Sequence, residues 1–174
     1  MLRNLLACIA LAPVLLACAP FGQSDIQAMS PQQASLVDTT CMRVMGLQQG
    51  QYQFALCRES LANTLAARKE GQDMAAAYKD CRQQGLADGS AAFSTCMLQS
   101  HATASAAQAV PHAVEVAYTG VPGTEPGKSF FSIPPHVQFQ RERYACAQLG
   151  LLPGSGAFGH CVANLQIAML PTSD

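Results

Sequence analysis

Apolar positions recur along this chain at helical spacing, and glycines interrupt the recurrence. Ser30-Pro31-Gln32-Gln33 announces a first helix, with Ser as N-cap, Pro at the first helical position and Gln in the capping-box slot. The pattern predicts that this helix runs to Met45 and stops at Gly46. A second follows the Gln48-Gln49-Gly50 turn and carries Phe54, Cys57, Leu61 and Leu65 on one face. It should run to about Glu70, with Gly71 as its stop, and a third should cover about Gln72 to Gln84 and end at Gly85. Ser90 caps a fourth, which carries Phe93 and Cys96 and fades into Ala-, Ser- and Gln-rich sequence near Ala107. A fifth is expected from about Pro135 to Leu149 and a sixth from about Gly156 to Met169.

Laid over this pattern is a phrase written three times: Cys41 to Cys57, Cys81 to Cys96 and Cys146 to Cys161. Each copy has a Gly-Leu after its first cysteine (Gly46, Gly85, Gly150) and a phenylalanine shortly before its second (Phe54, Phe93, Phe158). The glycine suits a left-handed helix stop, and Ser90 or Ser155 can cap the next helix, with Gln51 a weaker cap in the first copy. The first copy has one extra residue between Cys41 and Gly46, so its stop should be slightly wider. Each phrase therefore reads as a helical hairpin with one cysteine in each arm, near enough to the bend to bridge. The expected pairs are Cys41–Cys57, Cys81–Cys96 and Cys146–Cys161. Six cysteines allow 15 connectivities, so bridges between hairpins stay open.

The third copy stands apart from the second because of an insertion, residues 108–134, rich in proline and glycine. Pro111, Gly120, Pro122, Gly123, Pro126 and Gly127 forbid a continuous helix there, while Val114, Val116 and Tyr118 alternate like a short strand. Phe130, Phe131 and Ile133 form an apolar cluster just before Pro134-Pro135. A connection this long inside a small domain is functional or disordered. The trio Phe130, Phe131 and Ile133 is the candidate surface for a protein partner; the competing reading is that it covers an edge of the third hairpin.

Charged residues make up 12% of the chain and aromatics 6%, with no Trp, so bulky core formers are sparse and cross-links are the expected remedy. The net charge of -1, with scattered Lys and Arg, excludes an electrostatic case for nucleic acid or an anionic surface. At the N-terminus, Arg3 precedes an apolar stretch from Leu5 to Leu16 that meets Pro13 and Pro20 before reaching membrane-spanning length. Ala17-Cys18-Ala19 fits an ordinary secretory cleavage site, but Pro20 suits that cut poorly. Leu15-Leu16-Ala17-Cys18 resembles the lipobox of bacterial lipoproteins. The resemblance implies a leader over residues 1–17, a covalent lipid on Cys18 and a tether over 18–29. Ala19, where aspartate would retain such a protein in the inner membrane, implies an outer-membrane anchor facing the periplasm. Removing the leader with Cys8 and acylating Cys18 leaves six cysteines in an oxidising compartment.

Candidate chemistry is thin. The cysteines lack the close pairs of a zinc site, of covalent haem or of thiol exchange, so no metal and no cofactor beyond the lipid is expected. His101, His112, His136 and His160 show no helical metal spacing and read as solvated or locally bonded, and a disulfide-bonded Cys161 cannot act as a nucleophile beside His160. Ser155 reads as a helix cap rather than the nucleophile of a G-x-S-x-G elbow. Arg141-Glu142-Arg143 and Arg68-Lys69-Glu70 read as solvated helix faces.

The fullest phrase, Cys146-Ala-Gln-Leu-Gly-Leu-Leu-Pro-Gly-Ser-Gly-Ala-Phe-Gly-His-Cys161, resembles a motif in small exported bacterial envelope proteins. That resemblance implies a helical exported protein and brings with it no known active site. The expected fold is all-α: about six helices as three stapled hairpins, two within residues 30–107 and the third within 135–174. The expected function is non-enzymatic, a lipid-anchored interaction or scaffold protein with a protein partner in the cell envelope. The alternative is an assembly helper like the pilotins, which would present a groove closed by bulky aliphatics.

Overall fold

The computed structural model describes residues 29–106 and 128–171, and Cys18, the tether to residue 28 and most of the insertion lie outside the described residues. The described chain is helical. Helix α1 spans Pro31–Thr39 and continues as a π-helical turn over Thr40–Val44. Helix α2 spans Tyr52–Gln83, α3 Ala91–Ala106, α4 Pro135–Gln148 and α5 Gly156–Ala168, with a 3-10 turn at Phe130–Ser132 before α4.

Local chemistry sets the ends. Ser30 accepts from the Gln33 amide at 3.2 Å while the Gln33 side chain accepts from the Ser30 amide at 2.9 Å, a reciprocal cap. Ser90 and Ser155 each accept from the amide three residues on, those of Phe93 and Phe158. At the other end, the Leu86 amide reaches back to the Cys81 carbonyl and the Leu47 amide to the Cys41 carbonyl, the long hydrogen bond of a glycine-terminated helix. Gly46, Gly85 and Gly150 all sit at positive φ, as does a second glycine four residues after each. The extra residue of the first copy is absorbed upstream of the stop. The π-helical turn over Thr40–Val44 carries one more residue per turn than an α-helix, which lets Cys41 keep its place relative to Gly46.

All three disulfides join cysteines across these bends: Cys41–Cys57, Cys81–Cys96 and Cys146–Cys161, with Cα separations of 5.9 to 6.0 Å. The phenylalanine of each phrase is buried behind its bridge.

Two expectations fail together. The helix expected to stop at Gly71 runs straight through it, so five α-helices are described and not six. Consequently the first two hairpins are not separate units; α2 is the second arm of one and the first arm of the next. The three working stops are followed by leucine, whereas Gly71 is followed by Gln72, which has nothing apolar to fold back onto the preceding turn. A lone helical glycine costs about 1 kcal/mol. The Lys69–Asp73 pair at 2.6 Å and the Glu70–His101 pair at 2.9 Å support the helix on either side of it.

The core lies between α1, the N-terminal half of α2, α4 and α5. Val37, Met45, Leu61 and Leu165 are buried there around the Cys41–Cys57 and Cys146–Cys161 bridges. The C-terminal half of α2 leaves this core and carries α3 as a two-helix arm. Ala77, Cys81 and Phe93 are its buried residues, with Tyr78 edge-on to Phe93 at 5.5 Å, while Met74 and Leu98 stay exposed. Such an arm has little apolar area with which to offset chain entropy, so its staple carries most of its order.

The two kinds of bridge should therefore fail differently. Cys81→Ser with Cys96→Ser should melt α3 while the core keeps a cooperative transition. Cys146→Ala with Cys161→Ala should cost the whole domain about 3 kcal/mol. Circular dichroism with urea unfolding of both pairs checks this; equal global losses would contradict it.

Candidate functional site

Hairpins one and three are joined by polar side chains that reach across to each other's bends. Arg68 of α2 donates from Nη1 to the Leu149 carbonyl at 2.6 Å and lies over Gly150. Arg141 of α4 lies over Gly46 in the same way, and its Nη1 approaches the Lys128 carbonyl at 3.4 Å. A helix C-terminus presents unpaired carbonyls and a partial negative charge, so the Arg68 guanidinium is a fitting partner for the Leu149 end of α4. Arg141 is only 2% exposed and Glu142 only 5%, which corrects their reading as part of a solvated face. Burial pushes the Glu142 carboxyl up to about 7, opposed by a hydrogen bond from Gln166. Burial also lowers the Arg141 pKa. A signal was available in the sequence: Arg141 and Glu142 stand one turn before the buried Ala145 and Cys146, on the cysteine-bearing face of α4.

The returning end of the insertion is pinned to this junction. Gln138 donates from Nε2 to the carbonyls of Phe130 and Ile133, both at 3.1 Å, which holds the 3-10 turn against α4. The apolar trio divides. Phe130 is 2% exposed and joins the core, and Ile133 is 7% exposed, so both act as covering for the third hairpin. Phe131 is 44% exposed and leans edge-on against Phe130 at 5.3 Å. Only Phe131 is presented to solvent.

On another side of the molecule α2 and α5 part to leave an open groove of about 350 Å³. Leu56, Glu59, Ser60 and Asn63 of α2 face Asn164 and Ile167 of α5 across it. Ser60 is buried, yet its hydroxyl has no hydrogen-bond partner among the described residues. A buried orphan hydroxyl is costly, which makes it a pointer to something that completes the site. Nothing in the sequence singled out these residues, since Ser and Asn on helix flanks are ordinary.

The remaining reactive groups are engaged locally. His101 pairs with Glu70, and His136 and His160 are exposed. His112 and the strand-like run Val114, Val116 and Tyr118 lie outside the described residues. The Asp80 carboxylate, Cys81 and Cys96 come within 4.8 Å of one another, but the two sulfurs are bonded to each other and offer no thiolate pair. Among the described residues no helix is long and apolar enough to cross a membrane. No family model, no curated protein and no solved structure matches the chain.

Two measurements test this junction. Gly46→Ala and Gly85→Ala both force an ordinary residue to positive φ, worth about 1–2 kcal/mol. Only at Gly46 would the added carbon also meet the Lys128 carbonyl at 2.9 Å and Arg141 Nη1 at 3.0 Å, so that variant should lose clearly more in urea unfolding.

The second measurement follows the raised carboxyl of Glu142. The group binds its proton more tightly folded than unfolded. The resulting stability is full below about pH 4.5 and is lost as pH rises through about 7. Glu142→Gln should flatten this decline and raise the melting temperature at pH 8 relative to the parent.

Proposed function

We propose that the chain is an outer-membrane-anchored lipoprotein that faces the periplasm and works as a non-enzymatic interaction or scaffold protein. The observation that carries the reading is Leu15-Leu16-Ala17-Cys18-Ala19, which joins a lipidation motif to a sorting residue compatible with the outer membrane. The disulfides support it, because structural bridges of this kind belong to oxidising compartments. The non-enzymatic part rests on side chains already committed to structure: Ser90 and Ser155 to caps, Arg68 to the third bend, Arg141 to the Lys128 carbonyl, His101 to Glu70.

The protein partner is read from the insertion. Phe131 is an exposed aromatic on a turn held rigid from beneath by Phe130 and Gln138, the arrangement of an interface anchor. The escort reading, with its groove of bulky aliphatics, is less well supported, because the groove beside α5 carries Glu59, Asn63 and Asn164.

Cys18→Ser should leave the protein unprocessed or released to the soluble periplasmic fraction. Correctly cleaved Cys18→Ser protein that still sediments wholly with outer membranes would refute the anchor. In intact cells, Phe131→Ser should lower recovery of a cross-linked partner several-fold with an unchanged melting temperature. Phe130→Ser, by contrast, should cost on the order of 3 kcal/mol in stability. Full partner recovery with Phe131→Ser would remove the insertion from the interface.

A further inference from the structure

The three bridges close loops of nearly equal length, so chain entropy does not distinguish them. Their surroundings do. Cys41, Cys57, Cys146 and Cys161 belong to the core cluster, and opening either of their bridges would force two sulfurs apart among packed side chains. Cys81–Cys96 stands outside that cluster, between the C-terminal half of α2 and the thin helix α3. Five of the six bridged cysteines are at most 1% exposed, whereas Cys96 is half-buried.

Both differences bear on thiol–disulfide exchange. An attacking thiolate has to reach one sulfur of the bond it breaks, so access decides which bridge reacts and at which end. Cys96 is the bridged cysteine that solvent reaches with the fold intact. The equilibrium leans the same way. A fold that holds two thiols together favours their bond as strongly as the bond favours the fold. The core holds its cysteine pairs from several sides. Besides its bridge, α3 is held to α2 by Phe93 with Tyr78 edge-on to it, by the Ser100 hydroxyl donating to Asp80 at 3.2 Å, and by the His101–Glu70 pair. Of these Phe93 alone is a buried apolar contact.

We propose that Cys81–Cys96 is an exchangeable latch: a dithiol reductant opens it at Cys96, which frees α3 from α2 while the core stays bridged. In the first step a thiolate of the reductant bonds to Cys96 Sγ, and the Cys81 sulfur leaves with the electron pair of the broken bond. The Asp80 carboxylate lies within 4.8 Å of both sulfurs and disfavours a second negative charge, so the released Cys81 takes up a proton from water. The second thiol of the reductant then gives up its proton and attacks the reductant's own sulfur in the mixed disulfide. Cys96 leaves and is protonated in turn. Two electrons have passed to the bridge, and the reductant ends as a disulfide. Opening exposes Ala77 and Phe93 and parts His101 from Glu70, so a fixed pair of helices becomes α2 with α3 on a tether. The latch is independent of the lipid anchor and of Phe131.

The test treats the folded full chain with dithiothreitol, without denaturant, for increasing times. Acid quench, alkylation of free thiols and peptide mapping then report each bridge separately. Cys81 and Cys96 should become alkylated at least tenfold faster than Cys41, Cys57, Cys146 and Cys161. Glutathione, a monothiol that halts at the first step, should be found on Cys96 with Cys81 free. Once the latch is open, hydrogen exchange should quicken at least tenfold at the amides from Ser94 to Thr103 and stay unchanged in α4, and oxidised dithiothreitol should restore the slow exchange. Equal rates at the three bridges, glutathione chiefly on Cys81, or unaltered exchange in α3 would each overturn the proposal. So would loss of protection in α4 in step with α3, which would mean that the bridge opens only as the whole domain unfolds.

Discussion

Cys57 and Cys81 lie on the same uninterrupted helix, and each is tied to a different neighbour. A rod of 32 residues, about 48 Å long, is thereby clamped near both ends. At one end the clamp joins a core that two hairpins share; at the other it holds a single thin helix. Had α2 broken at Gly71, the chain would be two independent hairpins on a hinge, with no fixed relation between arm and core. Its continuity sets the direction of α3 relative to the core.

The junction between hairpins one and three is built unusually for so small a core. Its apolar residues are modest in size, and a full guanidinium and a carboxyl are enclosed among them at Arg141 and Glu142. Enclosing charge is expensive unless each group is matched to its surroundings. Arg141 lies over the Gly46 bend and approaches the Lys128 carbonyl. Glu142 is matched only partly, by a hydrogen bond from Gln166, and burial raises its carboxyl pKa to about 7. The bond from Arg68 to the Leu149 carbonyl also helps fix how α2 and the third bend sit, because a guanidinium reaches a carbonyl only from a narrow range of positions. Among the described residues the bend at Gly85 has open space around it and no guanidinium over it, in keeping with an arm that packs on α2.

For function, the consequence is a division between parts that hold and parts that present. The staples, caps and bends hold. Among the described residues, those presented include the exposed aromatic Phe131, the polar groove beside α5, and the apolar residues Met74 and Leu98 on the arm. On the proposed reading these are surfaces open to a partner, and the lipid anchor proposed for Cys18 would hold them at a membrane surface.

The sequence by itself determined the helical class, the bends and the bridges, because each depends on residues close together in the chain. A capping serine, a glycine at positive φ and two cysteines 15 or 16 residues apart carry their own geometry wherever they occur. Even the π-helical turn had a trace there, in the one extra residue between Cys41 and Gly46. That Gly71 is not a stop had a local trace in Gln72, which replaces the leucine of the working stops, while the His101–Glu70 pair that supports the helix there came only from the tertiary structure. It also decided that Arg141 and Glu142 are enclosed and that Phe130 and Ile133 are core while Phe131 is not. The groove belongs to the same group, because Asn63 and Asn164 meet across about 100 residues of chain. Local propensity acts within a turn or two, whereas the environment of a side chain is set by whatever distant segment the packing of the whole core brings against it.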